Sequence, residues 1–149
     1  QLSQQVINDN ELLLHVADQE RRIVLYNFET KQTTTVFVGY TYQTLQTEEN
    51  EIFIIDHEGK LNQVINKKAY PLPGFEQEIT MTMFLGNNQQ LLIEDKKRKL
   101  WSYNLISKNK SLLLNSMDNV KHVTDIDIEN KRLLFMRLVS SKKEIVLFQ

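Results

Sequence analysis

The chain of 149 residues contains no cysteine, so it forms no disulfide and offers no thiolate to a metal or to nucleophilic chemistry. That absence does not fix the compartment, because many extracytoplasmic domains also lack cysteine. Glycine occurs only as Gly39, Gly59, Gly74 and Gly86, so no glycine-rich loop exists to cradle a phosphate. An excess of either charge is also missing. Lysine and arginine total 18 against 19 acidic residues, for a formal charge of −1, and the chain as a whole has no pull on nucleic acid or anionic membrane. Long apolar runs are absent too: stretches such as Ile52-Phe53-Ile54-Ile55 fall far short of the roughly 20 residues of a spanning helix. No charged start followed by an apolar core marks a secretory leader. The sequence opens on Gln1 and reads as an excised domain or processed piece, with any targeting signal expected upstream. A hydrophobic share of 41% with 25% charged residues argues against disorder.

What is present is periodic. Leu12-Leu13-Leu14, Ile52-Phe53-Ile54, Leu91-Leu92-Ile93 and Leu133-Leu134-Phe135 begin at intervals of 40, 39 and 42 residues. A second series follows each member of the first: Ile23-Val24-Leu25-Tyr26, Leu61-Asn62-Gln63-Val64, Leu100-Trp101-Ser102-Tyr103 and Ile145-Val146-Leu147-Phe148, at intervals of 38, 39 and 45. Two series that drift together indicate a repeated supersecondary unit. The segments are short, rich in β-branched and aromatic residues, and bounded by Asn, Asp, Gly and Lys, which predicts strands. Thr33–Val38 is one such β-branched run, and over 79–83 the apolar Ile79, Met81 and Met83 alternate with Thr80 and Thr82.

Asn8-Asp9-Asn10, Glu49-Asn50, Gly86-Asn87-Asn88 and Glu129-Asn130-Lys131 precede the second strand of each unit. Glu29-Thr30-Lys31-Gln32, Asn66-Lys67-Lys68 and Ser107-Lys108-Asn109-Lys110 follow the third. These residues tolerate the left-handed conformations of tight hairpins. Each repeat therefore reads as an antiparallel meander of about four strands, over 4–38, 42–72, 79–114 and 120–148. Such a meander cannot bury both of its faces alone, and stacking around an axis solves this. The fold expected is all-β, a single β-propeller-like domain over 1–149 with about four antiparallel blades. The fourth unit ends after its third strand, so an incomplete or open propeller is expected, favoured over a compact ring. Pro71-Leu72-Pro73-Gly74-Phe75 is assigned to the crossing between the second and third blades, since proline cannot donate to a ladder.

In the fourth repeat, Ile128-Glu129-Asn130-Lys131 stands before the apolar strand where propeller repeats of the TolB type carry Pro-Asp-Gly-Lys, and only the lysine is kept outright. The ending Phe135-Met136-Arg137-Leu138-Val139-Ser140-Ser141-Lys142-Lys143-Glu144-Ile145-Val146-Leu147 resembles the last blade of propellers attached to CadC-like transcriptional regulators. The resemblance implies a periplasmic or extracytoplasmic sensor region, joined to the membrane through an upstream anchor and to DNA only through a separate winged-helix domain. Trp101-Ser102-Tyr103-Asn104-Leu105 is similar to either TolB or the regulators.

Candidate chemistry is sparse. His15, His57 and His122 stand far apart at non-equivalent repeat positions, unlike zinc ligands, and are assigned structural or solvated roles. Ser102, Ser107, Ser111, Ser116, Ser140 and Ser141 lie in strands or turns, with no nucleophile motif around them. Asp125 and Asp127 project to one face of a strand, as turn-capping or solvated carboxylates. No catalytic, cofactor-binding or metal-ligating residue is assigned, and no cofactor is expected. The sharpest charge feature is Lys96-Lys97-Arg98-Lys99: it is either a site for an acidic partner or the solvated tip of a hairpin, where charge discourages edge pairing. The reading reached is a noncatalytic sensing or protein-interaction domain, with a protein partner or self-association through blade edges. The alternatives are a TolB-like or WD-type scaffold, cytoplasmic in the WD case, or a propeller fragment of a hydrolase.

Overall fold

The computed structural model describes residues 4–47, 49–87, 90–118, 120–127, 130, 132–139 and 142–148. Asn88, Ile128, Glu129, Lys131, Ser140 and Ser141 lie outside the described residues, as do the side chains of Met81, Met83, His122 and Asp125. Among the described residues there are fifteen strands and no helix. They form four separate antiparallel sheets, each a plain meander in chain order. The first contains β1 (Gln4–Asn8), β2 (Glu11–Ala17), β3 (Arg21–Asn27) and β4 (Thr33–Val38). The second contains β5 (Thr41–Gln46), β6 (Ile52–Asp56), β7 (Leu61–Ile65) and β8 (Lys68–Pro71), and the third β9 (Ile79–Asn87), β10 (Gln90–Asp95), β11 (Leu100–Asn104) and β12 (Lys110–Leu114). The fourth has three strands, β13 (Val120–Asp127), β14 (Arg132–Val139) and β15 (Lys142–Phe148). The segment 79–83 is extended, as its alternation predicts. We refer to the sheets as blades.

The chain divides into two compact units, Gln1–Met81 and Thr82–Gln149. In the first, the facing sides of blades 1 and 2 share one apolar cluster that includes Leu13, Ile23, Leu25, Val36, Ile52 and Ile54. On the other side of β6, Phe53 and Ile55 are also fully buried. This explains why β6 reads as an unbroken apolar run: a strand buried on both faces has no solvent side to alternate toward. The second unit repeats the arrangement, with Leu92, Leu100, Met117, Val120 and Phe135 in one cluster and Leu91 and Ile93 buried on the opposite face of β10.

Turn chemistry then fixes the first three blades. Asp18, Asp56 and Asp95 each accept, at Oδ1, the amide two residues ahead, from Glu20 at 3.1 Å, Glu58 at 3.0 Å and Lys97 at 2.8 Å. Asp56 and Asp95 also accept the amide four ahead, from Lys60 at 2.9 Å and Lys99 at 3.0 Å. Such an aspartate mimics a backbone turn and closes the hairpin between the second and third strands. The next hairpin is closed in blades 1 and 3 by Asn27 and Asn104, whose Oδ1 atoms accept the amides two and three residues ahead. Lys31 and Lys108 complete these turns at φ 56° and 59°. Blade 2 uses a tighter, two-residue connection instead. Asn66 and Lys67, at φ 50° and 64°, join Ile65 to its cross-strand partner Lys68, with the positive φ at both central positions that a type I′ turn requires.

Candidate interaction surface

The basic run occupies the β10–β11 hairpin, where its four members have separate fates. Arg98 is held at φ 61°. Its guanidinium donates to the buried Glu94 carboxylate, to the Met117 carbonyl at 2.8 Å and to the Val120 carbonyl at 3.1 Å. Its own carbonyl accepts the Met117 amide at 2.6 Å. Arg98 therefore ties the hairpin to the segment that leaves blade 3. Asp95, itself buried, takes the backbone of Lys97 and Lys99 on one oxygen and the Trp101 indole N–H on the other, at 2.9 Å. Lys96 and Lys97 are exposed and Lys99 is half-buried.

Other sequence candidates stay apart. His15 is partly buried with Nε2 3.4 Å from Thr44 Oγ1, and burial pushes its pKa below the ordinary histidine value. His57 is exposed at a hairpin tip, where its backbone amide donates to the Tyr40 carbonyl. The Ser102 hydroxyl is buried against the Gln90 side-chain amide. Among the described residues, no three His, Asp or Glu side chains gather into a metal-binding group.

A concave surface lies elsewhere, in the first unit. Residues 34–38 of β4 and 67–69 at the β7–β8 turn line a groove of about 520 Å³. Its floor is apolar: Val36 is buried, with Phe37 and Ala69 partly buried beside it. Its rim is polar, with exposed Thr34, Thr35, Lys67 and Lys68. The walls are pinned by polar ties between blades 1 and 2. Lys67 Nζ lies 2.6 Å from Glu11 Oε1, and this bond holds the Glu11 carboxyl below its usual pKa. The Gln46 side-chain amide donates to the Ile7 carbonyl at 3.0 Å. Among the described residues β4 pairs with β3 alone, so its outer edge has no ladder partner there. Sequence reasoning picked out Thr33–Val38 as a strand but not as a binding edge. The available signal was that this strand carries neither charge nor proline.

No protein-family model matches the sequence, and no curated protein matches it significantly. Solved structures do match. The extracellular domain of a putative hybrid two-component system from B. thetaiotaomicron is similar over 100% of this chain and 22% of its own, with 13% identity and a TM-score of 0.58. The C-terminal WD40 domain of Sif2 is similar over 90% of this chain and 39% of its own, with 11% identity and a TM-score of 0.56. The N-terminal domain of Nup159 is similar over 92% and 41%, with 12% identity and a TM-score of 0.53. The fold class is thus all-β and β-propeller-like, built from antiparallel blades. The chain spans less than half the length of each of these structures.

Proposed function

We propose that this chain is a noncatalytic sensing or protein-interaction domain whose four blades act together over 1–149. We further propose that it serves as the extracytoplasmic region of a CadC-like, membrane-anchored transcriptional regulator. The observation that carries the reading is the likeness of the whole chain to an extracellular domain of a two-component system. In this reading, a partner or ligand binds the array, and a separate winged-helix domain beyond the chain transmits the event to DNA. The chain meets the membrane only through an upstream anchor. Periplasmic placement and the finer kinship with CadC-like and TolB-type propellers rest on the fourth-blade residues.

The test is genetic. Deleting the segment encoding this chain from the chromosome should change a defined set of transcripts, restored by complementation, and alkaline phosphatase fused after the segment should be active. An unchanged transcriptome together with an inactive fusion contradicts the regulator reading. A second reading, a WD-type scaffold without transcription, is favoured by the likeness to the Sif2 and Nup159 domains. It predicts the unchanged transcriptome, while partner capture persists.

A further inference from the structure

The last strand of each blade differs in how its edge is defended. Exposed strand edges are normally blunted by charge or proline, because unpaired amides and carbonyls template further pairing. β8 begins with Lys68 and ends at Pro71, β12 begins with Lys110, and β15 opens Lys142-Lys143-Glu144. β4 reads Thr33-Thr34-Thr35-Val36-Phe37-Val38, with no such residue. Its register skips one residue between the pairs Ile23↔Phe37 and Val24↔Thr35, so Val36 is a bulge. On the N-terminal side of the bulge, 33–35 is an exposed, uncharged stretch of edge. Thr34 and Thr35 also line the groove described above.

We propose that β4 is a strand-addition site for an extended, acidic peptide segment of a protein partner. This rests on the interaction-domain reading and names the place and the chemistry of the partner. The added segment pairs its backbone with Thr33 and Thr35, whose N–H and C=O groups point away from β3 while those of Thr34 face Leu25; main-chain bonds of this kind supply affinity without reading sequence. Alternate side chains beyond that stretch enter the groove, where Val36, Phe37 and Ala69 favour apolar groups. The acidic character follows from the rim. The eight residues lining the groove include Lys67 and Lys68 and no Asp or Glu. Lys67 is already engaged by Glu11, whereas the Lys68 ammonium sits 5.8 Å from the Tyr70 ring centroid. It is Lys68 that a carboxylate on the peptide meets.

The test uses a fluorescein-labelled, C-amidated heptapeptide alternating valine with glutamate, followed by fluorescence anisotropy. Its lysine counterpart, and the glutamate peptide N-methylated at alternate backbone amides, serve as controls. The acidic peptide should bind, with the lysine version weaker by about fivefold, the scale of one exposed charge pair. N-methylation should abolish binding. Lys68→Glu should reverse the charge preference, and Thr35→Pro, at a position whose N–H points away from β3, should remove binding at unchanged thermal stability. Should Thr35→Pro lower stability, Thr33→Pro replaces it with the same expected loss. The proposal is overturned if the N-methylated peptide binds equally well or the acidic peptide does not bind at millimolar concentration. It is also overturned if Lys97→Glu rather than Lys68→Glu reverses the preference, which moves the interaction surface but leaves the interaction-domain reading standing. A concentration-dependent dimer in sedimentation that Thr35→Pro dissociates overturns it too, since a second copy of the chain then occupies the edge.

Discussion

Blades 2 and 3 bind their hairpins to the following connector by the same backbone bond, made with opposite residues. In blade 2 the Gly59 carbonyl accepts the Ile79 amide at 2.7 Å, and in blade 3 the Arg98 carbonyl accepts the Met117 amide at 2.6 Å. Both residues stand three positions after the turn-closing aspartate, and both have positive φ, 80° and 61°. Glycine adopts that conformation without strain. Its neighbours also require it, because a Cβ at Gly59 would lie 2.7 Å from the Ile79 carbonyl oxygen. Arginine has no such freedom, and its strain is offset by the three bonds of its guanidinium. The repeat therefore preserves a backbone geometry and not a residue. A basic run that looks like a binding motif is, at Arg98, a structural clamp.

The largest effect expected from breaking this comparison comes from Arg98→Ala. It takes the guanidinium from a buried carboxylate and from two carbonyls, and chemical denaturation should show a loss of about 3 kcal/mol. Arg98→Gly should lose less, because glycine relieves the strain of the positive φ that alanine keeps. Equal losses for the two variants would show that this strain contributes little. Gly59→Ala should cost about 2 kcal/mol by the same measurement, through strain and the contact with Ile79. A neutral outcome would mean that the connector gives way easily. Trp101→Phe keeps an aromatic ring but removes the indole N–H from Asp95, for an expected loss of about 1.5 kcal/mol; its counterpart Asn62→Leu in blade 2 removes the 3.4 Å contact to Asp56 together with the bonds to the Lys60 and Ile54 carbonyls.

The smallest expected effect is a pH dependence. Burial lowers the His15 pKa in the folded chain below its ordinary value of 6.5, so the unfolded chain takes up the proton first. The stabilisation is complete above that value and is lost as pH falls through the depressed folded value. Denaturation midpoints measured across this range should fall on acidification, and His15→Gln should flatten the slope. An unchanged slope in the variant would place the titration elsewhere.

Much of the fold was legible because it is carried by local chemistry. Paired apolar series marked the central strands, and Glu29-Thr30-Lys31-Gln32, Asn66-Lys67-Lys68 and Ser107-Lys108-Asn109-Lys110 marked hairpins; Asn27, Asp56, Asp95 and Asn104, which close turns by side-chain bonds within four residues, were not singled out as such. What sequence could not reveal depends on residues far apart. Arg98 reaches Val120 across 22 positions, and Lys67 reaches Glu11 across 56. The groove needs two strands that meet only after the blades have packed. Its one sequence trace, an undefended edge in β4, is a matter of composition and so carries no spacing to read.

The account turns on where the surface for a partner lies, and amide hydrogen exchange with and without the valine–glutamate heptapeptide tests this directly. Exchange should slow at Thr33 and Thr35, whose N–H groups point away from β3, with the amides of Thr34 and of 95–99 unchanged. Slowing confined to the hairpin of Lys96 and Lys97, with β4 unaffected, would contradict it.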